Sequence, residues 1–193
     1  MSIQILVANE SHHGHAQAIC TMIAAAAQIR GTGIAQRQEE YICRKMTQQN
    51  AILALHNDRA VGFCYIETWS CQSYVANSGL IVHPDFRRKG LARAIKNAVF
   101  ELSKQKFPNA TLFGITTNAS VMKINTELGY QPVTFASLTQ DNEFWNACQS
   151  CPNYDILTRT KRSMCLCTAM ICEPQSRKES LESRLEQPVS RQR

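Results

Sequence analysis

The sequence predicts an α/β (α+β) fold, because strand-like and helix-like runs interleave along the chain. Three features carry this: a hairpin of two apolar runs about Asn57-Asp58, a strand that halts at Pro84 and gives way to a long helical stripe, and a second strand and helix closed by Gly129. With 193 residues the chain can bury one substantial core, whereas two domains would both be small. Hydrophobic residues at 44% against charged residues at 19% set it apart from disordered chains.

Ile3 to Val7 reads as a first strand. Ser11 is placed to cap a helix reaching about Gln28, with Ile19, Met22, Ile23 and Ala26 at helical spacing, and Gly31-Thr32-Gly33 breaks it. A second helix from about Gln36 to Met46 has a thin apolar stripe of Tyr41, Ile42 and Met46. Ala51–Leu55 and Val61–Ile66 form the hairpin, since Asn and Asp tolerate the backbone angles of a tight turn. A strand follows from about Tyr74 to Val82 and ends before Pro84, which cannot donate to a ladder. From Gly90, Leu91, Ile95, Ala98, Val99 and Leu102 mark a helix ending near Lys104. Thr111–Thr116 has the composition of a buried strand, and Asn118–Leu128 that of a short helix with Gly129 suited to a left-handed cap. Pro132–Leu138 and Arg162–Cys172 are further strand candidates. The expected organisation is one domain over 1–173, with a core of about 3–138 and a cysteine-rich extension of about 139–173, followed by a disordered tail at 174–193.

The formal charge of +6 and pI near 8.9 favour an anionic ligand without separating nucleic acid from a phosphorylated small molecule. The amino terminus shows no basic stretch leading into a signal-length apolar run, and the apolar helical stretch Met22–Ala27 is too short to span a bilayer. A soluble, cytoplasmic protein is expected, with no membrane or nucleic-acid partner and with a homodimer left open. Nine cysteines in such a setting suggest reduced thiols or metal ligands before disulfides.

The segment with the clearest chemistry is Val82-His83-Pro84-Asp85-Phe86-Arg87-Arg88-Lys89-Gly90-Leu91-Ala92. A strand end followed at once by a helix start presents unpaired backbone amides and the positive end of a helix dipole. Arg87, Arg88 and Lys89 add charge there, Gly90 permits close approach, and small Ala92 keeps the first turn clear. A pyrophosphate suits such a cradle; the blander reading is a basic turn that caps and solvates itself. Neither Gly-x-x-x-x-Gly-Lys-Ser/Thr nor Gly-x-Gly-x-x-Gly is present.

Val82-x-x-x-x-Arg87-x-x-Gly90-x-Ala92 resembles the acyl-CoA pyrophosphate motif of the GNAT superfamily of N-acyltransferases. Asn118 to Tyr130 resembles that family's next segment, and the element order over residues 3–138 is similar to the family's. The resemblance implies a mixed, mostly antiparallel central sheet flanked by helices and splayed between the strand ending at Val82 and the strand ending at Thr116. It implies acetyl-CoA or another short acyl-CoA as co-substrate, held by Leu80, Ile81, Val82, Arg87, Arg88, Lys89, Gly90, Leu91, Ala92, Asn118 and Asn125. The implied reaction moves an acetyl or other short acyl group to a primary amine.

Two positions depart from the family pattern. Many members carry a carboxylate on the strand before the motif, where this chain has Ala76-Asn77-Ser78, and a tyrosine acid where it has Asn125. Asn125 can donate a hydrogen bond but cannot transfer a proton. Glu67 is the nearest strand carboxylate and the candidate base; an exposed strand-end glutamate is the alternative. Arg30 and Arg37 flank the loop between the first helices, which in the family helps form the acceptor pocket. A pair of guanidinium forks there suits the carboxylate of an acidic amino acid such as glutamate, and a solvated basic loop is the competing reading. An acyl-CoA-binding regulatory module that has lost its chemistry is the alternative function.

Cys148-x-x-Cys151 and Cys165-x-Cys167 could gather four thiols. Zinc is possible but not favoured, since the second pair has one intervening residue, and buried reduced thiols explain the pattern as well. This extension resembles that of some bacterial GNAT proteins linked to glutamate acylation.

Overall fold

The computed structural model describes residues 2–28, 34–151, 153–175 and 177. Seven strands form one sheet in the order β1-β2-β3-β4-β5-β7-β6: β1 Gln4–Val7, β2 Ala51–His56, β3 Arg59–Trp69, β4 Tyr74–Val82, β5 Thr111–Thr116, β6 Gln131–Val133 and β7 Thr168–Cys172. Every neighbouring pair is antiparallel except β4 and β5. The helices are α1 Ala16–Ala27, α2 Glu39–Thr47, α3 Leu91–Lys106, α4 Ala119–Glu127, α5 Asn142–Ala147 and α6 Tyr154–Arg159. The mixed, mostly antiparallel sheet with flanking helices agrees with the sequence expectation.

Two hydrophobic layers cover the sheet. Ile95, Val99 and Phe100 of α3 pack with Val61, Val75 and Leu112 on one side, while Ile19 and Ile23 of α1 and Ile42 and Met46 of α2 pack with Leu53, Phe63 and Ile81 on the other. A third cluster of Phe113, Phe135, Phe144, Trp145 and Leu157 seats the cysteine-rich segment against β5. The chain then returns as β7, which pairs with β5 on one side and β6 on the other.

Several boundaries differ from the sequence reading for local reasons. The segment after β1 opens with a 3-10 turn, Glu10–His15, capped by Asn9 rather than Ser11, and α1 begins at Ala16. Asn9 takes the role because its side chain accepts the Ser11 amide and the His12 ring accepts the Asn9 amide. Past Val133 the chain turns through the 3-10 segment Phe135–Ser137, burying Phe135 in the third cluster instead of continuing the strand. In the Arg162–Cys172 candidate only Thr168–Cys172 pairs. Gly31-Thr32-Gly33, and the tail from residue 178, lie outside the described residues.

Candidate active site

β4 and β5 pair only at Tyr74↔Thr111, Val75↔Leu112 and Ala76↔Phe113. Beyond Ala76 the parallel ladder stops, although β4 runs on to Val82 and β5 to Thr116. The unpaired stretch of β4 also carries a register shift against β3, with Gly79 at φ +64°. A Cβ there would overlap the Tyr65 ring, so glycine is the residue that fits. The result is a cleft of about 480 Å³ whose walls include Asn77–Val82 on one side and Gly114–Thr116, Asn118 and Asn125 on the other. Backbone groups along such an unpaired edge need partners, and an extended amide-bearing ligand can supply them.

The cleft reaches the start of α3. Gly90 is the N-cap at φ +79°, and Arg88 also adopts a left-handed conformation at φ +60°. Ala94 N–H donates to the Gly90 carbonyl at 3.1 Å, so the amides of Leu91, Ala92 and Arg93 precede the first bonded turn, where an anion is favoured. Arg87 lines the cleft, its Nε donating to the Val82 carbonyl at 3.0 Å. Leu80, Ile81, Val82, Arg87, Ala92, Asn118 and Asn125 all line the cavity. Arg88, Lys89, Gly90 and Leu91 are not among the residues that line it; Lys89 Nζ turns back to the Asp85 carbonyl at 3.0 Å, and the Leu91 side chain is buried in the core. Asn118 caps α4 by accepting the Ser120 and Val121 amides. Asn125 is 2% exposed and among the described residues its Oδ1 has no hydrogen-bond partner, an orphaned acceptor that a bound amide would satisfy.

Glu67 is paired in register with Ala76, so its side chain lies beside the position where the β4 carboxylate is missing. It lines the cavity and is largely buried. Burial raises its pKa to about 7, with Arg37 acting in the opposite sense. Lys45 Nζ lies 2.8 Å from Glu67 Oε2 and 3.0 Å from the Ile66 carbonyl, and burial lowers the lysine to about 8. The 2.8 Å contact fixes the Glu67 carboxylate against Lys45. Arg37 also lines the cavity; its Nε donates to the Tyr65 hydroxyl at 2.9 Å and its guanidinium stacks over Tyr41. Arg30 lies outside the described residues.

The sequence reading did not find Lys45, Tyr65 or Lys96. Lys96 signals itself weakly, as a cation within the apolar face of α3 that follows Ala92 by one turn. The cysteine-rich segment also reaches the site: Cys148, Cys151, Asn153, Cys165 and Cys167 contribute to the cavity wall. None of the nine cysteines is in a disulfide. Burial, and then Cys151 and Cys165, raise Cys148 to about 11; burial, and then Cys165, Cys151 and Cys148, raise Cys167 to about 12. These two are neutral thiols at pH 7 and weak nucleophiles. Among the described residues no group of three His, Cys, Asp or Glu side chains is placed to hold a metal ion.

The site is therefore a splayed β4–β5 cleft that reaches an amide-rich helix start, with the Glu67 carboxylate and the Arg37 guanidinium in its wall. Residues 47–132 match the acetyltransferase (GNAT) domain family. No curated protein sequence matches significantly. Among solved structures the fold is similar to N-acetylglutamate synthase from Neisseria gonorrhoeae complexed with coenzyme A and N-acetyl-glutamate, at TM-score 0.65 and 14% identity, covering 91% of this chain and 36% of that one. This chain therefore spans about a third of that synthase. It is also similar to a phosphinothricin acetyltransferase from Sinorhizobium meliloti complexed with acetyl-CoA (TM-score 0.60, 11% identity, 90% and 89% coverage). A third similar structure is the ribosomal-protein-S18-alanine N-acetyltransferase of Escherichia coli (TM-score 0.55, 13% identity, 90% and 94% coverage). Among the described residues no helix is long and apolar enough to cross a membrane.

Proposed function

We propose that this protein transfers an acetyl or other short acyl group from acyl-CoA to the primary amine of a small anionic acceptor, an acidic amino acid such as glutamate being the best fit. The carrying observation is the placement of Glu67 beside Ala76 at the inner end of the cleft. An attacking amine must lose a proton, and a carboxylate with a pKa near 7 accepts one effectively at neutral pH. Lys45 holds that carboxylate through the 2.8 Å contact. Arg37, fixed by Tyr65 and Tyr41, offers its remaining guanidinium donors to an acceptor carboxylate. The thioester would enter along the open β4 edge, with its phosphates at the start of α3 and its amides toward Leu80–Val82 and Asn125. Binding of this kind supplies much of the rate by holding the reacting atoms together.

Glu67 also weighs against a binding module that has lost its chemistry, since such a module has no need of a buried carboxylate in its cleft. The test is thiol release from acetyl-CoA with glutamate, aspartate, glutamine and simple amines as acceptors. Turnover with the acidic acceptors supports the reading. Tight CoA binding with no turnover on any amine would replace it with the regulatory one.

A further inference from the structure

Lys96 is 3% exposed, lies on the same face of α3 as Ala92, and lines the acyl-CoA cleft. Its ammonium lies over the Tyr130 ring, 5.4 Å from the centroid, and among the described residues it makes no salt bridge. An ammonium held in a cavity wall without a counter-ion is costly, and a fold keeps one where a ligand supplies the partner. The titratable groups that face it are the Cys64 thiol from β3 and the Tyr130 hydroxyl from the turn after α4. Neither is an anion at neutral pH, because burial pushes Cys64 to about 11 and Tyr130 well above its usual value.

Resting on the acyltransferase reading above, we propose that Lys96 is the acid that protonates the departing CoA sulfur. The acceptor nitrogen forms its bond to the thioester carbonyl carbon and gives its proton to Glu67. The carbon–sulfur bond then breaks, its electron pair stays on sulfur, and that pair takes a proton from Lys96 Nζ. The products are the amide, CoA thiol, protonated Glu67 and neutral Lys96, and solvent exchange restores both side chains. Other cleft groups are poorly matched to this task. Asn125 has no transferable proton, and Tyr65 has its hydroxyl engaged by Arg37 and its pKa raised. Burial lowers Lys96 to about 8, close to an ordinary thiol, which suits proton exchange between the two.

The first test needs no acceptor. CoA is bound to the protein and its thiolate absorbance is followed against pH, with binding itself measured by calorimetry. A cation beside the sulfur should lower the bound thiol by about one to two pH units, and Lys96→Met should abolish that shift while still binding CoA. If CoA binds and titrates identically in both proteins, the proposal is overturned. If the unsubstituted protein does not bind CoA, the acyl-CoA reading itself fails and takes Lys96 with it. Lys96→Met removes a buried charge, so its melting temperature should be equal or higher, which separates a chemical loss from misfolding. In turnover, kcat should fall about 100-fold, and the decline of activity above about pH 8, where Lys96 loses its proton, should disappear. An alkaline decline that persists in Lys96→Met, or a raised KM with unchanged kcat, would reduce the lysine to a binding contact. Lys96→Gln, a second uncharged variant, should behave like Lys96→Met; normal turnover in Lys96→Gln also overturns the proposal.

Discussion

Glu67→Gln is the substitution with the most informative consequence. Gln keeps an acceptor for Lys45 Nζ, now 2.8 Å from the carboxylate, and is nearly the same size, so the packing of β3 against β4 should survive. What it loses is the ability to take a proton. Removing a positioned base costs about 10²- to 10⁴-fold in rate, which corresponds to about 3–5 kcal/mol of barrier. The pH dependence has a defined sign: the base is active when ionised, and burial places that ionisation at about 7. Activity of the unsubstituted protein should therefore rise as pH increases through about 7 and fall about tenfold per unit well below it. Glu67→Gln should show a lower rate without that step. The assay is kcat/KM for acetyl-CoA-dependent thiol release with an acidic acceptor from pH 5.5 to about 9. If Glu67→Gln retains more than half the rate, or keeps the step near pH 7, Glu67 is not the base.

Three further outcomes follow from the same geometry. Gly90→Trp should lower CoA affinity at least about 100-fold, or about 2.7 kcal/mol in calorimetry, because the indole would stand at the N-cap of α3, where the phosphates are proposed to approach the helix amides. The fold should persist, since among the described residues nothing lies within 4 Å of a Cβ at Gly90 and the left-handed φ of +79° costs about 1–2 kcal/mol. Arg37→Met should raise KM for an acidic acceptor by about tenfold or more, the value of a charged hydrogen bond, and leave KM for a neutral amine unchanged; an equal change for both would remove Arg37 from acceptor recognition. Gly79→Ala should destabilise the protein by about 2 kcal/mol or more, seen as a melting-temperature drop of about 4–8 °C, because φ is +64° and the new Cβ meets the Tyr65 ring.

The strand end and helix start that border the cleft were legible in the sequence because their geometry is local. Pro84, Arg87, Gly90 and Ala92 lie within nine residues, and a strand end followed by a helix start has one physical meaning wherever it occurs. The splay of β4 from β5 was read from resemblance, and the short three-residue ladder agrees with it. The surroundings of Glu67 were less legible because they are assembled across the sheet. Glu67 stood out only as the nearest carboxylate; its partner Lys45 comes from α2, and its register with Ala76 depends on the bulge near Gly79. Lys96 could not be weighed from sequence, since a lysine in an amphipathic helix ordinarily faces water and its burial depends on packing against Tyr130, 34 residues away. The inward turn of Cys165 and Cys167, with Met164 and Leu166 exposed at 58% and 62%, was readable as alternation but not as a wall of the same cleft.

The central claim is transfer of an acyl group from CoA to an amine at this cleft. Incubation of the protein with isotopically labelled acetyl-CoA and a mixture of amino acids, followed by mass spectrometry of the small molecules, addresses it most directly. The account predicts label in an amide bond on the α-amine of an acidic amino acid, lost in Glu67→Gln. Label remaining wholly in acetyl-CoA and acetate would contradict it.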